Sequence, residues 1–243
     1  MTMVVKFGGT SVGDADRMRK AAQKVLALQR EGWQVVAVVS AQGDTTDRMI
    51  ACAASYATKA CPREMDAYLS AGEQMSAALM AMTIQSLGGR AISLNGWQMG
   101  LMTDGDHANA RFIGLPGERI RRELDRGNIV VATGFQGVDD RGDITTLGRG
   151  GSDTTAVALA GCLQAQQCRI YTDVDGVYDR DPRKFPDAKR YATIDYDHMM
   201  ELARQGAQVL HNRCVALAKQ YAVPIWVLSA FREGEGTWVG DLT

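Results

Sequence analysis

The run Thr145-Thr146-Leu147-Gly148-Arg149-Gly150-Gly151-Ser152-Asp153-Thr154-Thr155 packs three glycines, an arginine and an aspartate into one short stretch. The apolar, alanine-rich stretch Ala156 to Leu163 follows at once. This pattern predicts a tight loop feeding the N-terminus of a buried helix. Such loops present backbone N–H groups and the positive end of a helix dipole to an anion. Arg149 can grip a carboxylate or a phosphate with two parallel bonds. Asp153 can orient a lysine or hold Mg²⁺, or serve only as a helix N-cap. The chemistry suggested is phosphate or carboxylate handling.

Other chemistry-bearing residues sit where strands should end. Met3-Val4-Val5-Lys6-Phe7 is a short apolar strand running into Gly8-Gly9. A lysine at such a strand end points into a cleft, where it can neutralise a transferring phosphoryl group. Gly8 and Gly9 make a turn, or let backbone N–H groups approach a phosphate closely. Trp33 to Val39 reads as a strand buried on both faces, followed by Ser40, Gly43, Asp44 and Thr46. Asn128 to Ala132 reads the same way and runs into Gly134-Phe135-Gln136-Gly137. Cys168 to Tyr171 leads to Thr172-Asp173-Val174-Asp175-Gly176, which lacks the later glutamate of a calcium loop. In open α/β sheets the C-terminal edge is where ligands bind, so these loops are expected to converge.

Helical spacing covers Asp14 to Arg30, Asp47 to about Thr58, Glu64 to Leu87, Gly117 to Arg126, Asp195 to Gln205 and Ala207 to Tyr221. Ala91 to Leu94 and Ile225 to Leu228 read as further strands. Strands alternating with helices predict an α/β fold with a mostly parallel sheet. No repeat or linker tract interrupts it. One domain over residues 1–243 is expected, with an N-terminal lobe of about 1–150 and a C-terminal lobe of about 151–243. Met75 to Met82 is expected to be core packing. His107, His198 and His211 are isolated and receive no catalytic role.

The 243 residues carry 27 basic and 28 acidic side chains, a formal charge of -1. No basic excess points to nucleic acid or an anionic membrane. Five dispersed cysteines fit reduced thiols. The first residues enter a strand directly, without a signal-peptide pattern, so a soluble cytoplasmic protein is expected. Walker A, G-x-G-x-x-G and protein-kinase signatures are missing.

Taken in order, Lys6-Phe7-Gly8-Gly9-Thr10-Ser11, Ser40-Ala41-x-Gly43-Asp44-Thr45-Thr46-Asp47, Gly72-Glu73-Gln74, Gly134-Phe135-Gln136-Gly137, Thr145 to Thr155, Thr172 to Tyr178 and Asp181-Pro182-Arg183 resemble the motif series of aspartokinases, within the amino-acid kinase superfamily. The resemblance covers almost the whole chain. It implies a three-layer α/β/α sandwich and ATP-dependent phosphorylation of the L-aspartate side-chain carboxylate, with Mg²⁺ carried mainly by the ATP phosphates. It further implies a homo-oligomer, such as a dimer.

In that resemblance Lys6 and Asp153 are catalytic. Ser40, Thr46, Glu73, Phe135, Arg149 and Ser152 hold the amino acid, with Glu73 on the ammonium and Arg149 on the α-carboxylate. Gly8, Gly9, Thr172, Asp173, Tyr178, Arg183 and Gln208 hold the nucleotide. Aspartokinases usually carry lysine where this chain has Gln208; glutamine donates a hydrogen bond but brings no charge, so weaker ATP binding is expected. Arg180, where the family usually has a small polar residue, offers a compensating charge nearby. The series also stops where the family's regulatory ACT modules usually begin. The expectation is a catalytic domain without them, either naturally so or as a piece of a longer chain. Two other readings stay open: a kinase for another small carboxylate or amino acid, and a non-catalytic subunit that binds nucleotide or amino acid.

Overall fold

The computed structural model describes residues 1–182, 184–205 and 209–241. The chain begins with β1 (Thr2–Phe7), α1 (Ala15–Arg30), β2 (Gln34–Val39), α2 (Thr45–Tyr56) and the long α3 (Pro62–Ser86). It continues through β3 (Ala91–Leu94), α4 (Gly96–Met99), β4 (Met102–Thr103), β5 (Phe112–Gly114), α5 (Glu118–Asp125) and β6 (Ile129–Thr133). Then come β7 (Gln136–Val138), β8 (Ile144–Thr146), α6 (Gly151–Leu163) and β9 (Gln167–Thr172). The last elements are β10 (Thr193–Ile194), α7 (Tyr196–Arg204), α8 (Asn212–Tyr221), β11 (Ile225–Ser229) and β12 (Thr237–Val239).

Among the described residues the strands form two sheets. The larger runs β10-β12-β11-β9-β1-β2-β6-β3. Its neighbours are parallel except for β11 with β12. Valine-rich strands such as Val35–Val39 and Ile129–Thr133 suit its centre because both faces are covered. On one face α1 and α3 pack Val25, Met80 and Ile84 against Met3, Val5 and Phe7. On the other, α5, α6, α7 and α8 bring Ile120, Leu159, Met199 and Val215 against Val4, Val36 and Val38. This is the expected α/β/α layering. Alternation along β1 turns Val4 towards the second face. Lys6, in phase with Val4, is therefore aimed at α6.

The small sheet, β5-β4-β7-β8, departs from the sequence pattern, which predicts a loop at Gln136-Gly137. Its strands have two or three residues, too few to display a period of two. The glycine run also differs from expectation at both ends. Thr145 and Thr146 belong to β8, and the helix begins at Gly151 rather than Ala156. Gly150 at its N-cap is left-handed (φ 68°), and the polar first turn looks like loop because it faces a cleft. Similarly, α8 starts at Asn212, later than the Ala207 expected. In α3 only Met80 of the methionines between 75 and 82 is core; Met75 and Met82 are exposed, with Leu79. No helix among the described residues is long and apolar enough to cross a membrane.

Candidate active site

The C-terminal ends of β1, β2 and β6 and the first turn of α6 open on one cavity of about 600 Å³. Lys6 and Gly9 reach it from β1, and Ser40 from β2. Thr46 comes from the first turn of α2, Glu73 from the middle of α3, and Phe135 from the turn after β6. Arg149, Ser152 and Asp153 come from the glycine loop and the turn it opens. The ends of β1, β2 and β6 and the glycine loop thus meet as expected, whereas the loop after β9, expected to join them, lines a second cavity instead. Gly8 stands beside them: a side chain added there would begin 3.5 Å from Lys6 Nζ.

Lys6 Nζ and Asp153 Oδ1 form an ion pair at 2.6 Å, with side chains only 11% and 13% exposed. Asp153 is not the N-cap of α6; that position is Gly150, and the carboxylate turns to Lys6 instead. Glu73 is buried on α3, where one carboxylate oxygen, Oε1, accepts the Ala41 N–H at 2.9 Å. Its other oxygen, Oε2, is buried without a hydrogen-bond partner among the described residues. Burial pushes the Glu73 carboxyl up to about 7, and the Ala41 N–H only partly offsets this. Arg149, in the glycine loop, is exposed, and no carboxylate among the described residues pairs with it. The Lys6–Asp153 pair is neutral as a unit. What remains is one anion short of a donor and one cation short of an acceptor, lining the same cavity. That arrangement suits a zwitterionic ligand.

A second cavity, of about 710 Å³, gathers Thr172, Asp173 and Tyr178, with Gly176 and Arg180. The Thr172 hydroxyl donates to Asp173 at 3.0 Å and the Tyr178 hydroxyl to Asp175 at 2.8 Å. Arg180 pairs with Asp187 at 2.7 Å, so its charge is already neutralised. Leu202, Gln205 and Val209 line this cavity, whereas Ala203, Leu210, His211 and Asn212 line the first. Residues 202–205 and 209–212 thus contribute to one cavity or the other. His211 and Asn212 were missed by the sequence reading. Their only signal was their place just before the apolar-periodic run of α8. Arg183 and Gln208, expected on the nucleotide side, lie outside the described residues.

Ser152 is held close under the end of β6. A Cβ on Gly134 would clash with Ser152 Oγ and lie 2.6 Å from its Cβ and 3.0 Å from its Cα. The hydroxyl can rotate away, but the other two atoms belong to a buried helix. Gly134→Ala is expected to cost about 1–3 kcal/mol through overpacking, read as a lower Tm in thermal unfolding. An unchanged Tm would show that α6 can shift away from β6 at no cost.

The amino acid kinase family profile matches residues 1–229. An aspartokinase from Geobacillus stearothermophilus is 51% identical over 239 residues, 98% of this chain and 59% of the relative. The chain thus spans little more than half the length of that curated relative. The crystal structure of an aspartate kinase from Synechocystis superposes with a TM-score of 0.87 at 44% identity, over 98% of this chain and 40% of that one. E. coli aspartokinase III in complex with aspartate and ADP gives a TM-score of 0.90 at 28% identity, over 100% of this chain and 65% of that one. With the layered sheet, the charged cavity at its C-terminal edge and a family match over nearly the whole length, the chain belongs to the amino acid kinase family.

Proposed function

We propose that this chain catalyses MgATP-dependent phosphorylation of the side-chain carboxylate of L-aspartate, giving 4-phospho-L-aspartate and ADP. The observation that carries the reading is Glu73 Oε2, unpartnered among the described residues and buried in the same cavity as Arg149, likewise unpaired among them, and the Lys6–Asp153 pair. Glu73 receives the substrate ammonium and Arg149 its α-carboxylate, with Ser40, Thr46, Phe135 and Ser152 completing the walls. The side-chain carboxylate then faces Lys6. It is already ionised at neutral pH, so it attacks the γ-phosphorus without a general base. The chain's work is positioning and charge neutralisation. Lys6 draws charge from the transferring group, and Asp153 holds the ammonium in place.

The second cavity takes the nucleotide, with Thr172, Asp173 and Tyr178 around it and Gly8 and Gly9 over the phosphates. The amino acid is held mainly by residues before about 150 and the nucleotide mainly by residues after it. Mg²⁺ on the ATP phosphates supplies further charge neutralisation. Names of the relatives, and the aspartate and ADP bound by E. coli aspartokinase III, support this assignment.

The test is a hydroxylamine trap with purified protein, MgATP and a panel of amino and simple carboxylic acids. Acyl-phosphate is expected with aspartate and not with glutamate, asparagine or succinate. Turnover of a different acid would replace the substrate assignment. Nucleotide binding with no turnover on any acid would favour a regulatory subunit.

A further inference from the structure

Asp66 and Arg213 line neither cavity, yet both grip the chain just ahead of Arg149. Asp66 lies on α3 and is 1% exposed. Its Oδ2 accepts the backbone N–H of Thr146 at 3.0 Å and of Ala108 at 2.9 Å. The same oxygen lies 3.0 Å from His107 Nδ1. Its Oδ1 accepts the Thr146 hydroxyl at 2.6 Å. Arg213, in the first turn of α8, takes acceptors from the same two segments. Its Nη1 donates to the Leu147 carbonyl at 3.0 Å and to Asn109 Oδ1 at 2.7 Å. Its Nη2 donates to the Ala110 carbonyl at 2.5 Å. The segments are also joined directly, Ala110 N–H to Thr146 carbonyl, at 2.9 Å. A carboxylate thus collects donors, and a guanidinium collects acceptors, along one paired edge that ends two residues before Arg149.

A buried aspartate with several partners is often purely structural. Two observations point further. Asp66 and Glu73 are seven residues apart on one helix, two turns along the same face, so about 10.5 Å of rigid rise separates them. Whatever Asp66 holds is therefore held at a fixed place relative to Glu73. Arg149, for its part, has no partner among the described residues to fix its head and stands between Gly148 (φ 70°) and Gly150 (φ 68°). Left-handed glycines give the backbone little stiffness of its own. The direction of the guanidinium therefore depends on where the edge at Thr146-Leu147 is pinned.

We propose that Asp66 and Arg213 are positioning residues that set the separation of Arg149 from Glu73, and so tune the cavity to the spacing of ammonium and carboxylate in an α-amino acid. This rests on reading the cavity as the amino-acid site. Arg213 makes the alignment depend on α8 as well, whose first residue, Asn212, lines the same cavity as Arg149 and Glu73.

Arg213→Met removes the fork. Arg213→Lys keeps the charge, but a single ammonium cannot reproduce a planar fork that spans both segments. Both variants are expected to raise the KM for aspartate roughly tenfold, with the KM for ATP within about twofold and kcat falling less than KM rises. Restoration by lysine would show that charge alone matters and would overturn the proposal, as would an unchanged aspartate KM in both variants. Asp66→Asn should act in the same direction; if it does not fold, the Arg213 pair carries the test. Backbone amide exchange over residues 145–151 needs no turnover. It should quicken about tenfold in Arg213→Met, with the global Tm nearly constant. Unchanged exchange overturns the staple whatever the substrate proves to be. Quickened exchange in a chain inert towards aspartate overturns only the substrate reading.

Discussion

Lys6→Ala and Asp153→Ala are expected to lower kcat by roughly 10²–10³-fold, the usual effect of removing a preorganised charge partner of the transition state. The Lys6 ammonium sits at the end of a buried strand, locked at 2.6 Å to a carboxylate in the first turn of α6. It can meet the developing phosphoryl charge without reorganising. The two substitutions also carry a folding cost that must be separated from catalysis. Removing one partner leaves the other charge uncompensated in a site that is nearly nine-tenths enclosed, which typically costs about 3–5 kcal/mol. The paired change Lys6→Met with Asp153→Ala removes both charges. It should recover much of that stability and none of the turnover. The measurements are ADP release with saturating substrates, circular dichroism and Tm. Near-normal kcat in either single variant, with an intact spectrum, sinks the catalytic assignment.

Glu73 should make aspartate binding depend on pH in a window set by its own carboxyl, which burial raises to about 7. Below that pH the group is increasingly neutral in the free protein, and the ammonium of the substrate loses its partner. The KM for aspartate is therefore expected to rise about tenfold for each pH unit below 7 and to level off above it. Aspartate binding near pH 7 should release a proton, seen in calorimetry as a heat that varies with the buffer's ionisation enthalpy. Glu73→Gln should raise the KM by about tenfold or more at pH 8 and flatten the profile, while ATP binding stays nearly constant. A wild-type profile that is flat between pH 6 and 8 would falsify the role.

The same raised carboxyl affects stability with the opposite sense. Between the ordinary glutamate value and about 7 the folded chain binds more protons than the unfolded one, so stability falls as pH rises through that window. The loss is on the order of 3 kcal/mol, complete above pH 7 and missing from Glu73→Gln. Bound aspartate should restore it, because an ammonium beside Oε2 favours the ionised form.

The amino-acid sequence alone determined the layered α/β fold and most of the first cavity. Fully buried strands are written as unbroken, valine-rich apolar runs, Val35–Val39 and Ile129–Val131, and the loops that follow them at Ser40 and Gly134-Phe135 mark the edge where ligands bind. Lys6, Arg149, Ser152 and Asp153 were legible because glycines crowd them and local spacing is enough to show it. The tertiary structure decided what depends on residues far apart in sequence. Asp153 reads equally well as a helix cap until the fold brings it 2.6 Å from Lys6. Glu73, on a helix that covers the sheet, has only the family resemblance to single it out until packing buries it and leaves one oxygen without a partner among the described residues. The short strands of the second sheet carry no periodicity, so only their pairing reveals them. His211, Asn212, Asp66 and Arg213 carry no local motif at all. Their contacts exist only because α3 and α8 both reach one paired edge of chain, and a one-dimensional pattern holds no record of which distant backbone groups a side chain will meet.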